Sequence, residues 1–219
     1  MTAGDGHAVF LAFLGDPRGL RVLDLGCAAP EAGRSALDRG AAAYLGLAVG
    51  ERSLDAARHA LAGTAGEARA QDLHRWSGHD LGTFDAVISW MTFHRVRNLA
   101  RLLETVHHHL VPGGRLVFSV PHPFVTASPD GKGDLGGGGV SGYFSEGERP
   151  APDGGRDDTP GETAIWHRTL EGYLYELRCC GFHLEELSEG RPAPGAPATA
   201  RRPDPDVPRH VSFRCRRRA

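Results

Sequence analysis

The feature that most constrains this chain is an apolar run that ends in a tight turn and leads directly into a predicted helix. Residues 21–25 form the apolar run, the turn begins at Gly26, and residues 31–37 have the pattern of a helix start. Such a junction places backbone N–H groups and a helix N-terminus beside the carboxyl end of a parallel strand. Open α/β sheets bind ligands at such places. The stretch therefore predicts an α/β fold with a binding site at this turn.

Composition fits one domain of ordinary size. The chain has 219 residues, 40% hydrophobic content and a formal net charge of −2, which allows a single buried core and favours neither nucleic acid nor an anionic membrane surface as a partner. The apolar runs are too short to span a bilayer, and residues 1–7 lack the pattern of a signal peptide. The four cysteines show no metal-ligand spacing, and adjacent Cys179 and Cys180 suggest core filling. These features predict a cytoplasmic protein.

Further apolar runs alternate with helical spacing along the chain. Strands are predicted over 42–48, 68–73, 84–90, 116–120, 182–187 and 210–215, and helices over 7–14, 52–61, 98–110 and from the segment 165–174 to Cys180. Residues 111–115 are predicted to form the turn that ends the third of these helices. Seven arginines between Arg201 and Arg218 give a basic C-terminal end, which is expected to be solvated.

Three motifs resemble those of class I S-adenosylmethionine-dependent methyltransferases. They are Val-Leu-Asp-Leu-Gly-Cys at 22–27, Phe-Asp-x-Val at 84–87 and Leu-x-Pro-Gly-Gly-x-Leu at 110–116. The resemblance covers the chain from Leu20 to Cys215. Within that family, the sequence is similar to the small-molecule, type 11/12-like branch. It implies a Rossmann-like seven-stranded sheet of order 3-2-1-4-5-7-6, with the last strand antiparallel and helices on both faces. No metal is implied, and the oligomeric state is left open.

The resemblance also implies a site for S-adenosylmethionine. The positions that match the family's cofactor contacts are Asp24, Gly26, Cys27 and Ala28 in the first turn, Ala48 and Glu51 for the ribose, Gln71, Asp72 and Leu73 for the adenine, and Trp90 at the end of the fourth strand. Glu51 has an alternative as a carboxylate that is favourable at a helix N-terminus, and Asp72 has an alternative as an N-cap.

Several of these positions depart from the family pattern. Ala28 and Pro30 stand where the family has glycines, so a Cβ intrudes at one place and an N–H is missing at the other. Ala48 stands where the family has an acid for the ribose hydroxyls. Little sequence precedes the first strand, which predicts a more open cofactor site. Weakened cofactor binding is therefore expected.

Three histidines are candidates for a general base, because histidine suits proton transfer near neutral pH. His94, His122 and His167 are predicted to lie at strand ends or beside the long segment 125–163. Substrate positioning or a structural hydrogen bond is the alternative for each. His107, His108 and His109 are consecutive in a helix and cannot converge on a metal.

The segment 125–163 is rich in Gly, Pro, Asp and Ser and is not expected to form a stable core element. Loops of this length are usually lids, binding loops or disordered segments. With Tyr143 and Phe144 as apolar contacts, the segment predicts a mobile flap over the acceptor pocket, and a disordered insertion is the alternative.

Two functions follow from the resemblance. The first is S-adenosylmethionine-dependent methyl transfer to a small-molecule acceptor. The second is a methyltransferase-like protein that has lost methyl transfer and acts as a lyase, a cyclase or a non-catalytic partner, which the departures at Ala28, Pro30 and Ala48 motivate.

Overall fold

A computed structural model describes residues 5–27, 30–77, 81–127, 140, 142–151, 164–190 and 208–218. The helices are α1 (Asp5–Leu14), α2 (Pro30–Asp38), α3 (Glu51–Leu61), α4 (Leu99–His109), α5 (Pro123–Thr126) and α6 (Leu170–Cys179). The strands are β1 (Arg21–Leu25), β2 (Ala43–Ala48), β3 (Gly66–Ala70), β4 (Phe84–Trp90), β5 (Leu110–Pro121), β6 (Gly147–Pro150), β7 (Ala164–His167), β8 (Phe182–Ser188) and β9 (His210–Arg217). A 3-10 turn, Phe93–Arg95, follows β4.

The main sheet has the strand order β3-β2-β1-β4-β5-β9-β8. Its first five strands are parallel, and β9 is antiparallel to both of its neighbours. This order confirms the predicted Rossmann-like arrangement, with β9 as the inserted antiparallel strand. The direction of the connections reverses between β1 and β4, so the carboxyl ends of these two strands form the topological switch point of the sheet.

Helices cover both faces of this sheet because successive strand residues point to opposite sides. On one face α1, α2 and α3 pack against Val22 and Tyr44. On the other face α4 and α6 pack against Leu23 and Leu25. The strands of the centre are buried on both faces, as the apolar run of β1 requires.

The chain between β5 and α6 differs from the prediction. Of residues 125–163, the ranges 128–139, 141 and 152–163 lie outside the described residues. Within the described part, β6 pairs antiparallel with β7, and Thr126, Ala127 and Ala151 are buried. The segment therefore contributes a short strand and a few buried residues, while the flap over an acceptor pocket stays a prediction. β6 escaped detection because its Gly-Glu-Arg-Pro sequence has no apolar alternation.

The start of one predicted helix and the turn after another also differ from the prediction. Residues 164–167 form a strand, and α6 begins only after Thr169, whose hydroxyl accepts a hydrogen bond from the Gly172 N–H at 2.9 Å. The predicted turn 111–115 is an irregular start of β5, since Phe84 pairs with Leu110 while Ala86 pairs with Arg115.

The last strand and the cysteine pair correct two further expectations. Arg214 and Arg216 of β9 form ion pairs with Glu185 of β8, so this part of the basic end belongs to the sheet and is not a solvated tail. Cys179 is exposed and does not fill the core, whereas the half-buried Cys180 packs against the main core as expected.

Candidate functional site

The turn after β1 brings three strand ends together. Gly26 has a φ of 77°, and a Cβ at this position would lie 2.2 Å from the Thr92 hydroxyl oxygen, so glycine is required both by conformation and by space. The N–H groups of Gly26 and Cys27 donate to the Leu47 carbonyl at 2.8 and 3.2 Å. The turn is thereby fixed between the ends of β2 and β4.

A buried carboxylate lies directly before this turn. Asp24 is 2% exposed; its Oδ2 accepts a 2.6 Å hydrogen bond from the Tyr44 hydroxyl, and its Oδ1 has no partner among the described residues. Burial raises the pKa of Asp24 to about 7, against the lowering effect of the Tyr44 hydrogen bond. Gly33 and Gly46 leave room for Tyr44 and Cys27, since a Cβ on either glycine would lie within 2.7 Å of those side chains.

Cys27 is no nucleophile in this arrangement. Its side chain is buried, and burial together with the charge of Asp24 raises the pKa of the thiol to about 12. The reactive thiolate is therefore absent near neutral pH. The side chain instead packs with Ala48 and Leu54.

Apolar side chains surround the position at which the family has an acid for the ribose hydroxyls. Ala48 at the end of β2 is fully buried and packs against Cys27, Leu54 and Ala57. Glu51, the first residue of α3, is exposed, and neither of its two predicted roles is decided by a contact. Ala28 lies outside the described residues.

The residues predicted to contact adenine follow the end of β3. The Gln71 N–H donates to the Ala48 carbonyl at 2.9 Å, which places this segment beside the end of β2. Asp72 is exposed and its Oδ1 accepts from the His74 N–H at 2.9 Å, so the turn-capping alternative is present. Leu73 is buried in the main core. Contact of Gln71, Asp72 and Leu73 with an adenine stays a prediction.

Trp90 is the last residue of β4, and its ring lies on the face of the sheet that α1 covers. Its ring lies 5.2 Å from that of Phe10 and 5.0 Å from that of His7. The next residue, Met91, has a φ of 54°, a conformation that a residue other than glycine seldom adopts. Such backbone strain is concentrated at functional sites. The α1 helix therefore packs at this end of the sheet, and the more open cofactor site stays a prediction.

His122 and His167 use both ring nitrogens for structural hydrogen bonds. His122 Nδ1 accepts from the Phe124 N–H at 3.1 Å, and its Nε2 lies 3.0 Å from Glu189 Oε1. His167 Nε2 lies 2.9 Å from the Tyr143 carbonyl oxygen, and its Nδ1 lies 2.7 Å from the Thr126 hydroxyl. Burial lowers the pKa of both imidazoles. These contacts favour the structural alternative for both residues.

His94 has a different environment. It is 5% exposed in the 3-10 turn after β4, and its Nδ1 has no partner within the described ranges. Burial, with the nearby charges of Arg95 and Arg168, lowers the pKa of the imidazole to about 3. The ring is therefore neutral near pH 7 and is a weak base.

His7 was missed by sequence reasoning. It lies in the first turn of the apolar helix α1, and no periodicity indicates that its side chain meets Trp90, which lies 83 positions later in the chain. Its Nε2 is buried without a partner among the described residues.

Metal-binding and membrane-spanning features are absent from the part of the chain that the structure describes. There, no three His, Cys, Asp or Glu side chains are grouped so as to hold a metal ion, and no helix is long and apolar enough to cross a membrane.

This arrangement suits a ligand that carries positive charge. S-adenosylmethionine has a cationic sulfonium and an ammonium group, and the unpartnered Asp24 oxygen is an acceptor next to the turn where such a ligand would bind. The missing side chain of Gly26 makes room for Thr92, and the N–H groups of Gly26 and Cys27 already donate to Leu47, so the free Asp24 oxygen is the group that this turn leaves available. The residues at this end of the site therefore fit the cofactor, while Ala48 offers no acceptor to its ribose.

Comparison with known proteins agrees with this geometry. The model of the methyltransferase domain family matches residues 6–134. A crystallised S-adenosylmethionine-dependent methyltransferase from Mesorhizobium loti is 30% identical, superposes with a TM-score of 0.83, and the alignment covers 98% of this chain and 99% of that one.

Two curated relatives match at the sequence level. A Haemophilus influenzae protein of uncharacterised function is 27% identical over 191 residues, which cover 82% of this chain and 73% of that protein. The ribosomal RNA small subunit methyltransferase C of Chromohalobacter salexigens is 37% identical over 115 residues, which cover 48% of this chain and 32% of that enzyme. With the strand order and the turn at Gly26, these matches establish that the chain belongs to the class I S-adenosylmethionine-dependent methyltransferase family.

Proposed function

We propose that this protein transfers the methyl group of S-adenosylmethionine to a small-molecule acceptor. The observation that carries the proposal is the buried Asp24 carboxylate, with one unpartnered oxygen, beside the Gly26–Cys27 turn at the switch point. When bound there, S-adenosylmethionine supplies an activated methyl group on sulfur. The protein then needs mainly to hold the acceptor in line with that methyl group and to exclude water.

The cofactor would lie across the ends of β1, β2 and β4. Asp24, beside the Gly26–Cys27 turn, would hold its methionyl part, and Trp90 would border it on the β4 side. The exposed carboxylates of Glu51 and Asp72 are available to its ribose and adenine. Loss of the acid at position 48 removes charge-assisted hydrogen bonds that contribute on the order of 1.5–3 kcal/mol each, which supports weakened binding of the cofactor.

The three histidines contribute differently to this proposal. His94, beside the end of β4, is suited to hydrogen-bond an acceptor as a neutral imidazole. His122 and His167 hold α5 and the β6–β7 hairpin, which border the same edge of the sheet. Their role in the proposal is therefore structural, and a general base is not required where the acceptor atom is already nucleophilic.

A small-molecule acceptor is favoured by charge. The formal net charge is −2, and Arg214 and Arg216 are paired with Glu185 and are not presented as a basic surface. An RNA acceptor requires a basic surface that neutralises phosphates. The ribosomal RNA relative therefore informs the fold of this chain more than its acceptor.

Isothermal titration with S-adenosylmethionine tests the proposal. We expect saturable binding with an affinity in the micromolar to millimolar range, and a rise in melting temperature with the ligand. Gly26→Val should abolish this binding, since its side chain would collide with Thr92, and exposed Arg58→Val on α3 is the control. Absence of both heat and a thermal shift at millimolar ligand would refute the proposal.

A single residue, Ala48, supports a second candidate function. A fully buried alanine at the ribose position is compatible with a protein of this fold that has lost methyl transfer and acts as a lyase, a cyclase or a non-catalytic partner. Binding of the cofactor without methyl transfer to any member of a broad acceptor panel would favour this alternative.

A further inference from the structure

His7 lies beside the switch point of the sheet. Its ring lies edge-on to Trp90, the last residue of β4, with the ring centroids 5.0 Å apart. On the other side, Glu31 in the first turn of α2 is near enough to raise the pKa of His7, against the larger lowering effect of burial. Because ligands of open α/β sheets bind outside the strand ends at this point, His7 borders the ligand region.

The imidazole of His7 is buried but not satisfied. The side chain is 7% exposed, and its Nε2 has no hydrogen-bond partner among the described residues. Buried polar atoms are nearly always paired, and an unpaired one calls for an explanation such as a missing ligand. His122 and His167, at the same edge of the sheet, have partners on both nitrogens and need no such explanation.

The position of His7 is fixed by the packing of α1. Phe10 and Leu14 are each 1% exposed and anchor the helix to the sheet. At the first turn, a Cβ on Gly6 would lie 2.0 Å from His210 Nε2 at the start of β9, so glycine allows a close approach there. The His7 ring is therefore presented by a rigid element.

The charges around His7 indicate which ligand group it would meet. Asp24 and Glu31 are carboxylates on the same side of the sheet, and they suit the ammonium and sulfonium groups of S-adenosylmethionine. The carboxylate of that amino-acid moiety requires a donor, and a histidine nitrogen supplies one.

We propose that His7 Nε2 donates a hydrogen bond to the carboxylate of the amino-acid moiety of bound S-adenosylmethionine. This inference rests on the proposed function, because it assigns a residue to the same cofactor. It makes α1 part of the cofactor site, with Gly6 and Trp90 fixing the imidazole and His7 acting as a specificity-determining residue for ligands that carry the amino acid.

The test compares two ligands that differ in this moiety. S-adenosylhomocysteine carries the amino acid and 5′-methylthioadenosine lacks it, so their dissociation constants are measured by calorimetry for the wild type and for His7→Phe. Phenylalanine keeps the ring contacts with Trp90 and Phe10 and removes the nitrogen. His59→Phe, at an exposed position of α3, is the matched control, and melting temperatures monitor folding.

We expect His7→Phe to weaken S-adenosylhomocysteine binding by about tenfold or more, and to leave 5′-methylthioadenosine binding unchanged. Equal affinity of wild type and variant for S-adenosylhomocysteine, or an equal loss for both ligands, would overturn the inference. If His7→Phe does not fold, His7→Leu, which also removes the nitrogen, is measured under the same criteria. Failure of the wild type to bind either ligand would instead refute the proposed function, and this inference with it.

Discussion

At the scale of single residues, Asp24 is the least satisfied group of the site. Its folded-state pKa of about 7 lies above the ordinary value of 3.8. Between these two pH values the folded protein keeps the proton while the unfolded chain releases it, so ionisation favours unfolding and stability falls as pH rises. The protein thus keeps an acidic group here at a cost in stability, which is typical of binding sites.

Asp24→Asn should therefore be more stable than the wild type at pH 8. Between pH 7 and pH 4 this advantage should shrink by about 1.4 kcal/mol for each unit by which the pH is lowered, because the folded wild type holds the proton that the unfolded chain releases. Urea unfolding at pH 5, 6, 7 and 8 measures this difference. Exposed Asp55→Asn on α3 is the control. An advantage that does not vary with pH would contradict the raised pKa.

Restoring the family's acid at position 48 should not improve cofactor binding, because this position is also buried. Ala48 is fully buried against Leu54 and Ala57, so Ala48→Asp places a carboxylate in an apolar cluster without a donor. We expect a loss of about 2 kcal/mol or more in unfolding free energy and no gain in S-adenosylmethionine affinity. Tighter binding in calorimetry, with Ala48→Ser as the control, would show that the ribose position is still open.

At the scale of elements, Arg168 connects the segment after β4 to α6. Its Nη2 donates to the carbonyls of Val96 and Arg97 at 2.9 and 2.8 Å, and its Nε lies 3.5 Å from Glu176 Oε1. The guanidinium is 7% exposed. Because the 3-10 turn that carries His94 ends at Arg95, this one side chain holds the acceptor side of the site against the helix layer.

Arg168→Ala should destabilise the protein by about 3–5 kcal/mol, since it leaves the half-buried Glu176 without its cation. Chemical denaturation measures the loss. The double variant Arg168→Met with Glu176→Gln removes both charges and should recover part of it. A single variant within 1 kcal/mol of the wild type would show that the ion pair and the carbonyl contacts carry no net stability.

At the scale of the whole molecule, the parts that followed from sequence are those with local signals. Apolar runs such as 84–90 and the turn at Gly26 identify parallel strands and one strand-to-helix junction, and the resemblance supplied their order in the sheet. The position of Asp24 near the end of β1 followed from the same local signal. These features depend on residues that are neighbours in the chain.

The parts that could not be predicted depend on contacts between distant residues. The Tyr44 hydrogen bond to Asp24, the approach of His7 to Trp90 and the satisfaction of both His167 nitrogens each join different elements. Burial of Ala48 likewise depends on how α3 packs on β2. The sequence therefore predicted which strand ends lie together at the candidate site, and tertiary packing decides which side chains remain available there.

A crystal structure of the protein with S-adenosylhomocysteine tests the central claim most directly. The account predicts ligand density at the carboxyl ends of β1 and β4, between the Gly26–Cys27 turn and Trp90, with the amino-acid moiety toward Asp24 and His7. Density confined to another place, such as the surface depression between α2 and α3 lined by Arg34, Asp38 and Ala60, would contradict it, as would an empty switch point at saturating ligand.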